Sequence, residues 1–158
     1  MIYSIGYQRV TLAQVLTIMV EKEVRYLVDV RSYPNSRHPS KHEFNRGRLE
    51  KGFPAMYRWM GDVLGGKLGP AKEEGIIRLI TLHNEPGGHN LMLMCMEHDP
   101  CDCHRLYDIS RRLLKRGIDV IHLVDGHEHK TSEVTEEVCN DRKRLCSSSE
   151  TSLLKGSF

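Results

Sequence analysis

Five side chains able to ligate a metal or act as a nucleophile, Cys95, His98, Cys101, Cys103 and His104, fall within one ten-residue stretch that also carries Glu97, with Arg105 directly after it. The thiolate is the reactive form of cysteine, and it is favoured at a helix start beside cationic side chains. Asp102 is expected to be the N-cap of a helix beginning near Cys103, which would set Cys103, His104 and Arg105 at the positive end of the helix dipole. The same arrangement would bind an anion through backbone amides and Arg105. Cys103 is therefore the candidate nucleophile, with Glu97, His98 and His104 as nearby acids or bases.

Zinc is the competing chemistry for this segment. The ligands suffice in number, but their spacing does not supply two knuckles of C-x-x-C type, so no metal is assigned. Other polar residues have plainer readings. Cys95 ends an apolar run and reads first as a packing cysteine, and Asp29 as a structural carboxylate that pairs with Arg31 or binds loop amides. His122 is expected to be structural, His127 and His129 solvated, and Cys139 and Cys146 incidental.

These residues need elements to position them. Thr11-Leu12-Ala13-Gln14 is a capping-box pattern, and Leu12, Val15, Leu16, Met19 and Val20 follow at helical spacing, predicting a helix over residues 12 to 23. The runs Ile2-Tyr3-Ser4-Ile5 and Tyr26-Leu27-Val28-Asp29-Val30 flank it as strands, giving a βαβ unit with a parallel sheet. A short helix is expected near residues 43 to 51, and Leu64-Gly65-Gly66-Lys67-Leu68-Gly69-Pro70 is a glycine-rich loop without the phosphate-loop pattern. Ile76 to Ile80 form a helical face, Leu91 to Cys95 a buried strand, Arg105 to Arg116 a helix ended by Gly117, and Asp119 to Val124 the next strand.

The fold class is thus α/β: a single domain with a mainly parallel sheet built from βαβ units and helices on both faces. The expected boundaries are an α/β domain over 1–127, a C-terminal helix over 128–146 with Thr131-Ser132 as its cap, and a flexible tail over 147–158. In parallel sheets ligands bind beyond the carboxyl ends of the strands. The loops beginning at Gly6, at Arg31-Ser32 and at Cys95 should therefore face one crevice.

At 158 residues the chain can close one hydrophobic core, and its hydrophobic share of 39% and charged share of 28% are those of globular domains. No apolar run approaches the roughly 18 residues of a membrane span, so no membrane partner is expected. The first residues lack a secretory signal, so the mature protein is expected to begin at Met1. Five cysteines, an odd number, suggest reduced thiols in a cytoplasm more than a disulfide framework. A net charge of +2 says little by itself, but seven Lys or Arg between Arg31 and Arg58 face only Glu43 and Glu50, with Tyr33, Phe44, Phe53, Tyr57 and Trp59 interleaved. That stretch is either a surface for a nucleotide or nucleic acid, through cations and stacking rings, or a solvated face.

Taken in order, Tyr3-Ser4-Ile5-Gly6-Tyr7, Leu27 to Pro34 with Ser36-Arg37, Phe44-Asn45, Leu64-Gly65-Gly66, Met94 to Glu97, Asp99-Pro100 and Cys103-His104-Arg105 resemble the domain of unknown function 488 family of small α/β proteins. The resemblance spans residues 3 to about 124. It implies a fold and a shared pocket at Gly6, Arg31, Ser32, Cys95, Glu97, Cys103, His104 and Arg105, but no assigned reaction. Tyr7 stands where His is common in that family, and Cys101 is additional. The Val-Asp-Val-Arg strand end also looks like rhodanese domains, whose single-cysteine loop is not reproduced.

Two functions fit. One is an enzyme, a hydrolase or transferase acting on a phosphate-containing substrate, with Cys103 as reactive thiol, Glu97 and His104 moving protons, and Gly6, Arg31, Ser32, Cys95 and Arg105 binding the substrate. The other is a noncatalytic module in which the same crevice binds nucleic acid or a partner and the cysteines are structural.

Overall fold

The computed structural model describes residues 1–141. Six strands, β1 (Ile2–Gly6), β2 (Val24–Asp29), β3 (Tyr57–Trp59), β4 (Asn90–Cys95), β5 (Val120–Val124) and β6 (His127–Lys130), form one sheet. Their order is β3-β2-β4-β1-β5-β6, parallel throughout except for the last pair. The helices are α1 (Leu12–Glu21), α2 (Arg46–Gly52), α3 (Gly61–Leu64), α4 (Glu73–His83) and α5 (Arg111–Leu114), the last continuing a π-helical segment, Arg105–Ser110.

Local chemistry explains the firmest element. The Thr11 hydroxyl accepts the Gln14 amide at 3.2 Å, and the Gln14 side chain accepts the Thr11 amide at 2.8 Å. Two of the four amides orphaned at a helix start are so satisfied. The α1 face that follows then buries Val15 and Met19.

Strand periodicity divides the core into two layers, because successive side chains point to opposite faces. Leu91, Leu93 and Cys95 of β4 pack with Ile76 and Leu79 of α4 and with Ile109, Leu113 and Cys103. Met92 and Met94 point the other way, onto Val15, Met19, Phe44 and Leu49. The parity of β4 therefore directs Cys95 towards Cys103. Burying either layer stabilises the fold by about 25 cal/mol for each Å² of apolar surface.

The carboxyl half departs from the expected boundaries. The sheet continues past residue 127 into β6, joined to β5 by Asp125 (φ 50°) and Gly126 (φ 80°), the two left-handed positions of a tight hairpin. Thr131 is buried and donates its hydroxyl to the Val120 carbonyl at 3.0 Å, so it caps no helix. Residues 136–141 are helical; the remainder of the expected C-terminal helix, Cys146 and the expected tail lie outside the described residues. Cys139 forms a disulfide with Cys101, 38 positions away, which corrects the expectation of uniformly reduced thiols. Val134 and Leu106 pack around that disulfide, and this small cluster brings together cysteines that the sequence separates. No helix among the described residues is long and apolar enough to cross a membrane.

Candidate functional site

Parallel pairing lines up the carboxyl ends of the central strands. Gly6 lies opposite Cys95 and Asp29 opposite Met94, so the loops that leave β1, β2 and β4 meet on one side of the sheet. Between them opens a cavity of about 690 Å³ whose walls include Tyr7, Arg31, Ser32, Cys95, Glu97 and His104, with Tyr33, Arg37, Lys67 and Tyr107 also lining it.

On the β2 side the polar groups saturate one another. Arg31 donates Nε and Nη2 to the two Asp29 oxygens at 2.8 and 2.6 Å, Nη2 also to the Phe44 carbonyl at 2.7 Å, and Nη1 to the Tyr7 hydroxyl at 3.0 Å. Tyr57 donates its hydroxyl to Asp29 at 2.6 Å. Burial, then the neighbouring Asp29 charge, push the Tyr57 phenol well above its ordinary range. Burial alone would lower the Arg31 value, but the Asp29 pair outweighs it and raises it. Asp29 is thus the structural carboxylate expected. Arg31 lines the cavity with its charge already matched, so the anion-holding role expected of it is not favoured.

On the β4 side the groups are less settled. Cys95 donates its thiol to Glu97 Oε2 at 3.0 Å, and Cys103 Sγ lies 3.2 Å from the same oxygen. His104 Nδ1 is 3.7 Å from Cys103 Sγ, and Nε2 is 3.1 Å from the Val30 carbonyl. A carbonyl only accepts, so Nε2 carries a proton and Nδ1 faces the sulfurs. The thiols share their protons unequally. Cys95 is held well up, first by its hydrogen bond to Cys103 and then by burial. Cys103 is drawn down to about 6, first by the bond from Cys95, with burial opposing and His104 and Arg105 assisting. For Glu97 and His104 burial favours the neutral form, but their partners outweigh it: Glu97 is lowered and His104 raised.

The source of the Cys103 shift is not the one the sequence suggests. Cys103 itself is extended (φ −128°, ψ 137°) and ends a 3₁₀ turn over Pro100–Asp102, whose cap is Asp99, its carboxylate accepting the Cys101 amide at 2.8 Å. Asp102 therefore caps no helix, and the thiol owes its acidity to side chains. Cys103 is also 1% exposed and stands behind the wall, whereas Cys95, Glu97 and His104 face the cavity.

Arg105 is fully buried and donates to the Glu97 and His98 carbonyls at 2.5 and 2.9 Å. It holds the site loop in shape and is not available to a substrate anion. Gly6 is likewise a packing position: a Cβ there would lie 1.7 Å from the Glu97 carbonyl oxygen. Ser32 reaches the wall and accepts the Lys67 amide at 3.0 Å. His98 turns away to Asp125 at 3.1 Å, and Cys101 is disulfide-bonded. Of the five ligands weighed for zinc, Cys95, Cys103 and His104 come together, their ligand atoms all within 4.8 Å. His122 is bracketed by Ser4 at 2.6 Å and Thr131 at 3.0 Å in the sheet interior, as befits a structural residue.

The rim cations are Arg37, which belongs to the basic stretch, and Lys67, which lies outside it and is not among the expected site residues. Both are exposed, line the cavity and form no ion pair among the described residues. Lys67 could have been found from its place in the glycine-rich loop. Elsewhere the basic stretch is largely engaged: Lys41 donates to the Tyr7 and Val10 carbonyls at 3.1 and 2.8 Å, and Arg46 stacks 4.1 Å over Trp59 while pairing with Glu50. Phe44 and Tyr57 are buried.

Compared with known proteins, residues 11–75 match the family model of the domain of unknown function DUF488. The match covers the wall that carries Arg31, Ser32, Arg37, Gly66 and Lys67, and stops short of the sulfur cluster. No curated protein and no solved structure matches the chain.

Proposed function

We propose that this chain, whose residues 11–75 belong to the DUF488 family, is an enzyme acting on a small phosphate-containing substrate of the nucleotide class. The observation that carries the reading is the joint presence, on one cavity, of two exposed rim cations, Arg37 and Lys67, and a thiol pair hydrogen-bonded to an acid and an imidazole. The cations attract the phosphate, and exposed Tyr33 and Tyr107 offer ring faces for a base. Long nucleic acid is less favoured than a small molecule, because most of the basic stretch is already engaged with carbonyls, rings and carboxylates.

In the free dithiol the negative charge rests on Cys103 while Cys95 faces the cavity. Transfer of the Cys95 proton to the Cys103 sulfur accompanies formation of a bond from Cys95 Sγ to the substrate's electrophilic atom. The bond to the leaving oxygen breaks, and that oxygen takes a proton from Nδ1 of the His104 imidazolium, which Glu97 later replaces with the proton it receives from water while Cys103 returns its own to Cys95. Water then releases the bound group, giving one proton to Glu97. In this reading Glu97 and His104 carry the proton-moving roles expected of them, whereas Cys103, the nucleophile expected from the sequence, becomes the base that takes the Cys95 proton, and Cys95, expected to bind substrate, is the attacking sulfur.

The test is a panel of nucleotides and phosphate esters assayed for binding by calorimetry and for turnover. Lys67→Ala and Arg37→Ala should each weaken binding about tenfold or more, as loss of a charge-assisted hydrogen bond does. Cys95→Ala and Cys103→Ala should keep binding and lose turnover. Binding indifferent to both rim substitutions would refute the anion assignment.

A further inference from the structure

We propose that Cys95, Cys103 and His104 form a site for one thiophilic divalent cation of the zinc class, with Glu97 beside its open, cavity-facing position. The proposal deepens the reading above: it rests on the same cluster and changes what the sulfurs do there, since in the loaded protein they hold the cation and do not attack.

Geometry is the first argument. With metal–sulfur bonds near 2.3 Å and metal–nitrogen bonds near 2.0 Å, a tetrahedral sulfur–nitrogen edge is about 3.5 Å. Cys103 Sγ and His104 Nδ1 are 3.7 Å apart, and the three ligand atoms lie within 4.8 Å of one another. A cation placed among them needs little rearrangement of the backbone.

Ligand orientation is the second. Metal-bound histidines characteristically donate their other ring nitrogen to a carbonyl or carboxylate, which fixes the tautomer and aims the free lone pair. His104 does so through Nε2 to Val30 at 3.1 Å. Gly66 sits against the ring: a Cβ there would come within 2.6 Å of Cγ, so a larger residue at this position would displace the imidazole.

Charge is the third. Two thiolates and the Glu97 carboxylate bring three negative charges, and a divalent cation with Arg105 brings three positive ones. Arg105 is buried and engages carbonyls in place of a carboxylate, so among the described residues its charge has no ion-pair partner of its own. A cation between the sulfurs lets the cluster become fully anionic and balance it. Three protein ligands with a position open to a cavity are the pattern of reactive zinc centres, in contrast to the closed four-ligand pattern of structural ones.

The experiment uses the full chain, purified under reductant, stripped with a chelator and titrated with Zn(II) and Co(II). One equivalent should bind, and the cobalt form should show sulfur-to-cobalt charge transfer with tetrahedral ligand-field bands. Cys103→Ser and Cys95→Ser should each weaken binding by more than the ~10- to 100-fold that loss of an outer partner costs. Gly66→Ala, which leaves every ligand in place but crowds the ring, should weaken it by a smaller factor, and Cys139→Ser should leave it unchanged. Circular dichroism of each variant separates ligand loss from unfolding. Iodoacetamide labelling of the stripped protein separates this proposal from the previous one. If thiols label rapidly, the rim-dependent phosphate binding persists and no stoichiometric metal binds, the cation site is refuted and the dithiol enzyme stands. If neither metal nor label is taken up, both fail. Metal that binds equally well to the Cys95→Ser, Cys103→Ser double variant refutes the site outright.

Discussion

Two buried polar networks share the carboxyl edge of the sheet, and each contains an arginine. Around Arg31 the cation meets a carboxylate in two bonds, the carboxylate meets a tyrosine, and the remaining donors meet Tyr7 and a backbone carbonyl. Around Arg105 the cation meets only carbonyls, and the nearby acidic groups, Glu97 and Cys103, divide protons with Cys95 and His104. Burial is similar in both. What differs is whether charge and hydrogen-bonding capacity cancel within the network, and the network that leaves both unfinished is the one to which the proposed chemistry is assigned. A finished network contributes rigidity instead, because every change of protonation breaks a bond.

The largest test of this contrast is Arg31→Met. It strands the Asp29 carboxylate in the core, and breaking a buried pair from one side costs about 3–5 kcal/mol. Urea unfolding should register that loss, and the double variant with Asp29→Asn should recover part of it. A loss under about 1 kcal/mol would mean that the pair does not neutralise itself as its geometry implies.

A second finished network, Ser4–His122–Thr131, carries the comparison to histidine. Burial, and then the Arg105 charge, lower His122 to about 3. The native state therefore refuses a proton that the unfolded chain accepts near pH 6.5. Stability is full above pH 6.5 and falls as pH drops towards 3, at up to about 1.4 kcal/mol per unit, or roughly 2 kcal/mol by pH 5. His122→Gln should flatten that acid limb in chemical denaturation; an unchanged slope would place the acid sensitivity elsewhere.

Gly66→Ala probes the unfinished network through its one rigid wall. Overpacking costs about 1–3 kcal/mol, and because the new methyl meets the His104 ring, the imidazole resonances should shift while those of His122 stay in place. The smallest expected stability effects are those of Lys67→Ala and Arg37→Ala, within about 0.5 kcal/mol for exposed side chains. A thermal melt that moved much further would tie the rim to the core and blur the distinction drawn here.

How far the sequence foretold this depends on how local each signal is. The Thr11–Gln14 cap, α1, the apolar central strands and the Asp29–Arg31 pair are read from neighbours along the chain, and all four are present. β3 escaped notice because three residues are too few for periodicity to register. The Asp125-Gly126 pair is a hairpin signal, but His127–Lys130 offers no apolar alternation to mark a second strand after it. Cys101–Cys139 depends on packing between distant segments, which no spacing rule reveals. Within the site, the convergence of Gly6, Arg31, Cys95, Glu97 and Arg105 at one sheet edge follows from strand order, but accessibility does not. Arg105 has the residue type of an anion ligand and the burial of a core residue, and Asp102 has the type of a cap without the backbone conformation.

The two ends of the sheet bear on how this protein behaves when crowded. An unpaired strand edge is a template on which another chain can add, the first step towards aggregates. Here one edge is β3, only three residues long and partly roofed by the Arg46 guanidinium over Trp59. The other is β6, whose sequence His-Glu-His-Lys is polar at every position. Neither offers a long, flat, apolar strip for a newcomer to pair with, which is the form of edge that resists strand addition.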